Sequence, residues 1–104
     1  MGIYDPEMEE GLASETDIEV EEPSMYRVLL HNDDYTTMEF VVAVLMHVFK
    51  KSVEESTRIM LNVHNTGIGV CGIYPYEVAE TKVKTVQSLA REHGFPLKCT
   101  LERE

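Results

Sequence analysis

The sequence predicts one small α/β domain of the α+β type, with three strands and three helices in the order strand, helix, helix, strand, helix, strand. The strands form one sheet and the helices cover one of its faces. Three observations lead there. The chain of 104 residues gathers its acids at one end, which leaves about eighty residues, enough for a single core. Within those residues, apolar side chains recur every second position in three segments and every third or fourth position in three others. Turn formers and helix start and stop residues lie between the segments.

Residues 1–24 contain nine acids and no Lys or Arg, so they carry −9 of the net charge of −10. Residues 25–104 set ten acids against nine bases and stand at −1. Dense like charge with few large apolar residues does not repay the entropy of ordering. Residues 1–24 are therefore expected to be a disordered acidic extension, and 25–104 the core domain.

From Met25, Tyr26, Val28 and Leu30 alternate with Arg27, Leu29 and His31, the period of a strand. "NDD" ends it. Thr36 with Glu39 forms a capping box, and Met38, Val41, Val42, Leu45 and Phe49 follow at helical spacing. Lys50 and Lys51 are expected in the last turn of this first helix, where cations suit the dipole. Ser52 with Glu55 makes a second capping box, and Val53, Ile59, Met60 and Val63 line a second helix ending near His64. Beyond it, Asn65 and Gly67 are both able to take positive φ.

"IGVCGIY" is the second strand, stopped at Tyr74-Pro75 because Pro cannot continue a ladder but suits a helix entrance. Val78, Ala79, Val83, Val86, Leu89 and Ala90 line the third and longest helix, and Gly94 stops it. Leu97, Cys99 and Leu101 then alternate with Lys98, Thr100 and Glu102 in the last strand.

Several function classes drop out. An acidic chain with no basic stripe and no Trp makes a poor nucleic-acid binder. There is no basic segment followed by an apolar run at the start and no apolar stretch of membrane-spanning length, so a cytoplasmic protein is expected. Gly67-Ile68-Gly69-Val70-Cys71-Gly72 matches GxGxxG, but a helix precedes it and the glycines lie within the strand. A dinucleotide loop needs the reverse arrangement, so a closely approached or twisted strand is expected instead.

His31, His64, His93, Cys71 and Cys99 show no metal-ligand spacing, and the cysteines have no CxxC pattern, so two buried free thiols and no metal or cofactor are expected, a Cys71–Cys99 bridge being the open alternative that nothing requires. His64 near Asp33 or Asp34 resembles half of a general acid–base pair, yet nothing supplies a nucleophile or a substrate pocket. An enzyme is not expected.

That leaves "HNDDYTTMEF", residues 31–40, with two readings open. The acids form an Asx-type turn feeding a helix cap, favoured by the helix dipole. Or they supply acceptors beside apolar residues of two helices, which suits a cation attached to an apolar group.

The segments "NDDYTTMEFVV", "IMLNVH", "VCGIYPYEVAETKV" and "PLKCTLE" resemble, in order and with nearly continuous spacing over about residues 23–103, the ClpS family. These are adaptors that deliver N-degron substrates to AAA+ unfoldases of the Clp type. The resemblance implies a three-stranded antiparallel sheet like that of the ribosomal stalk protein's C-terminal domain. It also implies a monomer that does no chemistry and binds unmodified N-terminal Leu, Phe, Tyr or Trp.

By the same resemblance Asn32, Asp33 and His64 hold the α-ammonium, whose three N–H donors need three acceptors. His64 must then be neutral, and binding should weaken as acid protonates it. The pocket for the first side chain is implied to be lined by Asp34, Thr36, Met38, Val41, Met60, Val63 and Leu97, with Met38 narrowing it against β-branched residues. Read without the family, Met38, Met60, Val41, Val63 and Leu97 are plain core positions.

Glu77 and Lys82 are implied to dock the N-terminal domain of a ClpA- or ClpC-type unfoldase. On their own they read as a solvated helix face. The acidic extension matches a family segment used in handing over substrate, or is an inert solubilising arm. Two positions depart from the family: Thr37 stands where Pro is usual, and Pro75 where a capping hydroxyl is common. The alternative function is a scaffold module of the same fold with no N-terminal recognition.

Overall fold

The computed structural model describes residues 23–104. The acidic extension expected over 1–24 therefore lies, up to residue 22, outside the described residues. Six elements follow in the expected order: strand β1 (Met25–His31), helix α1 (Met38–His47), helix α2 (Val53–Thr66), strand β2 (Ile68–Pro75), helix α3 (Tyr76–His93) and strand β3 (Lys98–Arg103).

The strands pair antiparallel in the order β2-β1-β3. β1 is the central strand and, with a neighbour on either side, the most buried of the three. Its Val28 and Leu30 are fully buried against the helices. Leu29 points to the helix-free face, where its partners Val70 and Thr100 on the outer strands flank it.

Between β1 and β2 the pairing steps from Val28–Gly72 to Leu29–Val70, which leaves Cys71 as the extra residue of a bulge. The extra residue shifts the alternation. Cys71 is buried in the core and Tyr74 packs against it, while Val70 and Ile73 are exposed on the other face. The GxGxxG glycines behave as a closely approached strand should. A Cβ on Gly72 would run into the Tyr74 ring, and one on Gly69 would run into Val63 of α2.

The helices meet over the sheet in one cluster that includes Val44 and Leu45 of α1, Ile59 and Val63 of α2, and Ala79, Val86 and Ala90 of α3. Cys71 and Cys99 are free and buried within it. Burial pushes both thiols up, Cys99 to about 12, so neither forms a thiolate at neutral pH. Among the described residues no helix is long and apolar enough to cross a membrane.

Helix boundaries differ from expectation at three places. The N-cap of α1 is Thr37, whose hydroxyl accepts from the Phe40 N–H at 3.1 Å. The expected Thr36–Glu39 capping box does not form: Thr36 belongs to the Asp33 turn, where its N–H and its hydroxyl both donate to the carboxylate. Position 37 is thus a cap and not the first helical position, and a Thr serves there without the family's usual Pro.

At its other end α1 stops at His47, so Phe49, Lys50 and Lys51 lie beyond it. Lys50 turns into the left-handed region at φ 57° and the Lys51 N–H folds back onto the Leu45 carbonyl at 3.1 Å. This turn lets Phe49 reach the core from outside the helix. Finally, α2 runs two residues past His64 through Asn65, and Gly67 alone takes the left-handed cap, at φ 93°.

Ser52 caps α2 as expected, accepting from the Glu55 N–H, but Glu55 turns its carboxylate to Arg58. Pro75 precedes α3 with no side-chain cap, and the helix still begins at Tyr76.

Candidate functional site

Residues 32–37 join β1 to α1 and are fixed from both sides. The Asn32 N–H donates to the Gly67 carbonyl at 2.9 Å. Because Gly67 ends α2, this bond places the last turn of α2, with His64, beside the loop. Asp33 then organises the loop itself. Its Oδ1 accepts from the N–H groups of Tyr35 (2.8 Å) and Thr36 (2.7 Å), and its Oδ2 accepts from the Thr36 hydroxyl at 2.7 Å.

The Asx-type turn is therefore present at Asp33. It does not exhaust the carboxylate. Two oxygens offer about four acceptor positions, and three are used within the turn. Partial burial alone would push Asp33 up, but the hydroxyl and two N–H groups outweigh it and hold the carboxyl below its ordinary range. Asp33 is charged at neutral pH.

The loop and two helices enclose a cavity of about 210 Å³. Its lining comprises Asn32, Asp33, Asp34 and Thr36 from the loop, Met38 and Val41 from α1, and Met60, Val63 and His64 from α2. These are nine of the ten residues named from the sequence for the ammonium clamp and the side-chain pocket. The tenth, Leu97, does not line the cavity. It precedes β3 and is buried in the core cluster. No residue outside the sequence-named set contributes to the lining.

The cavity has two chemical ends. Asn32, Asp34 and His64 are exposed at a polar mouth with two carboxylates and no Lys or Arg. Val41, Met60 and Val63 are buried and form an apolar wall, and Met38, the first residue of α1, remains 43% exposed at its edge. A negative mouth over an apolar wall favours a cation carrying an apolar group. Among the described residues no three metal-ligating side chains come together.

Glu77 and Lys82 lie on α3, away from the cavity. Glu77 is exposed in the first turn, at the rim of a shallow apolar hollow formed with Pro23, Tyr26, Pro75, Tyr76 and Val78. Lys82 is half-buried and turned inward. Its Nζ donates to the Val48 carbonyl at 2.9 Å and lies over the rings of Phe49 (5.8 Å) and Tyr74 (5.4 Å). It therefore ties α3 to the C-terminal end of α1 and to β2.

No sequence pattern announces this contact, since Val48 is 34 residues away and the pairing is made only by packing. Lys82→Met keeps the stem and deletes the ammonium. It is expected to lower stability by about 2 kcal/mol, from a charge-assisted hydrogen bond and a cation–π contact. Urea unfolding checks this, and an unchanged midpoint would mean that the contact contributes nothing in solution.

Comparisons with known proteins agree on one family. The signature described as "ATP-dependent Clp protease adaptor protein ClpS" matches residues 21–100. The chain is 69% identical over 84 residues to the ATP-dependent Clp protease adapter protein ClpS of Desulfatibacillum aliphaticivorans, covering 81% of each chain. It is 56% identical over 104 residues to that of Desulforapulum autotrophicum, covering 100% of both. Among solved structures, Agrobacterium tumefaciens ClpS2 bound to L-phenylalaninamide superposes with a TM-score of 0.78 at 43% identity, covering 80% of this chain and 100% of that one.

Proposed function

The chain belongs to the ClpS family of Clp protease adaptors, and from that premise we propose that it binds proteins bearing an unmodified N-terminal Leu, Phe, Tyr or Trp. It then delivers them to a ClpA- or ClpC-type AAA+ unfoldase. It acts as a monomer in the cytoplasm and catalyses nothing itself. Two free, buried thiols fit a reducing compartment.

The observation that carries this reading is the two-ended cavity. Phenylalaninamide, the ligand of the similar solved structure, has a free α-ammonium on one side and a benzyl group on the other. The same pairing of cation and apolar group matches the polar mouth and apolar wall here. In the proposed complex the ammonium donates to the Asn32 side-chain oxygen, to the remaining acceptor position of Asp33 directly or through water, and to a ring nitrogen of His64.

The first side chain enters between Met38 and Val41 on one side and Met60 and Val63 on the other, with Asp34 and Thr36 at the rim and Leu97 beneath the wall. Burying it contributes roughly 1.5–3 kcal/mol. Met38 at the edge narrows the entrance against branching at Cβ. On α3, Glu77 presents the docking surface to the unfoldase, and Lys82 belongs to that surface as the residue that fixes its backing.

The test is fluorescence anisotropy with two labelled peptides, one beginning with free Leu and the other identical but N-acetylated. Acetylation removes the charge and two of the three donors, so only the free peptide is expected to bind. Equal binding of both would favour a scaffold surface and overturn the reading.

A further inference from the structure

Gly69 does not line the cavity, yet it touches the residue that forms the cavity's wall. A Cβ built on Gly69 would lie 2.6 Å from Val63 Cγ2, well inside the 3.4 Å at which ordinary contact begins. The space around it offers no escape. The Asn62 side chain and the Ile59 carbonyl both stand at 3.6 Å. Gly69 is itself buried and paired with Leu30 of the central strand, so the strand cannot retreat. Val63, being β-branched and within a helix, has one strongly preferred rotamer and cannot swing aside.

Nor does the backbone require glycine here. Gly67 and Gly94 hold positive φ, and Gly69 does not. Its lack of a side chain therefore serves close approach alone.

We propose that Gly69 is a specificity-determining positioning residue: by letting Val63 seat against β2, it sets the depth of the side-chain pocket and so admits the larger first residues. A methyl group at position 69 pushes Val63, and with it the wall of α2, off the strand and into the cavity. Asp33 keeps its bonds to Tyr35 and Thr36, while His64 and, through Gly67, Asn32 are tied to the end of α2; a shift there acts on the ammonium that every peptide shares and cancels in the ratio between peptides. What differs between them is the apolar end, where the change scales with the size of the bound side chain. This inference rests on the proposed N-terminal recognition.

The experiment measures anisotropy with free-N-terminal Leu, Phe and Trp peptides against wild type, Gly69→Ala and Gly69→Ala/Val63→Ala, with N-acetylated Leu as control. The expected result for Gly69→Ala is a loss of about tenfold for Trp and Phe, the order that overpacking costs, with a clearly smaller loss for Leu and continued rejection of the acetylated peptide. Removing the Val63 methyl groups in the double variant should restore Trp and Phe relative to Leu.

Uniform weakening of all three peptides, or a double variant no more tolerant of Trp than the single, would overturn the inference while leaving recognition standing. If wild type binds none of the free peptides, both fall together. A lower melting temperature of Gly69→Ala does not bear on the outcome, since the readout is a ratio between peptides on one folded protein.

Discussion

Asp33→Ala is expected to lower affinity for a free-N-terminal Leu peptide by about 100-fold, within the range for truncating one side of a hydrogen-bonded charge pair. The loss has two parts. The substitution removes an acceptor for the ammonium, and it also deletes the three bonds from Tyr35 and Thr36 that shape the loop. Asp33→Asn separates them. Its amide oxygen still accepts from both N–H groups, so the turn persists while the charge is gone, and an intermediate loss is expected. Unchanged affinity in both variants would remove Asp33 from the clamp.

The same residue leaves a mark on acid stability, with a definite sign. The folded-state carboxyl lies below its ordinary value, so the native state binds that proton more weakly than the unfolded chain, whose Asp titrates near about 3.9. The contribution is fully present above the unfolded value and is lost as pH falls through the folded one. Asp33→Asn should therefore be less stable than wild type at neutral pH and converge toward it in strong acid. Urea unfolding across that range measures this, and parallel curves would show that the turn does not depend on the charge.

Leu45→Ala carries the largest expected effect on folding, a loss of about 3 kcal/mol. Leu45 is fully buried, and α1 is only ten residues long. A helix that short is marginal alone, so it stays in place by packing Val41, Val44 and Leu45 into the core. A domain of about eighty residues has roughly 4–12 kcal/mol in all, and the loss is thus a large share. Because Met38 and Val41 ride on α1, affinity for a Leu peptide should fall with stability. Leu45→Met, which conserves volume, should cost less than about 1.5 kcal/mol. A change below that figure for Leu45→Ala in urea unfolding would mean that α1 is held by something other than this contact.

Much of the molecule was legible in local patterns. Alternation in "MYRVLL", apolar spacing from Ala79 to Ala90, the Ser52 cap and the stop at Gly94 depend on residues close in sequence, and each appears where expected; Val78, placed on the same apolar face by its spacing, is exposed. The cavity's lining was also legible, though by a different route. Nothing in the periodicity distinguishes Met60 or Val63 from core residues, which they also are, and it was the family resemblance of "NDDYTTMEF" and "IMLNVH" that assembled them.

What tertiary structure decided are the contacts between residues far apart in the chain. Lys50 looks like the end of a helix until Phe49 has to enter the core, which turns the chain into the left-handed region. Lys82 reads as a surface charge until packing brings Val48, Phe49 and Tyr74 around its ammonium. Gly69 reads as part of a failed nucleotide motif until α2 is laid on β2 and leaves no room for a methyl group. Hydrogen-bond partners and van der Waals space at these positions belong to the packed chain, and a pattern of neighbours along the sequence carries no information about them.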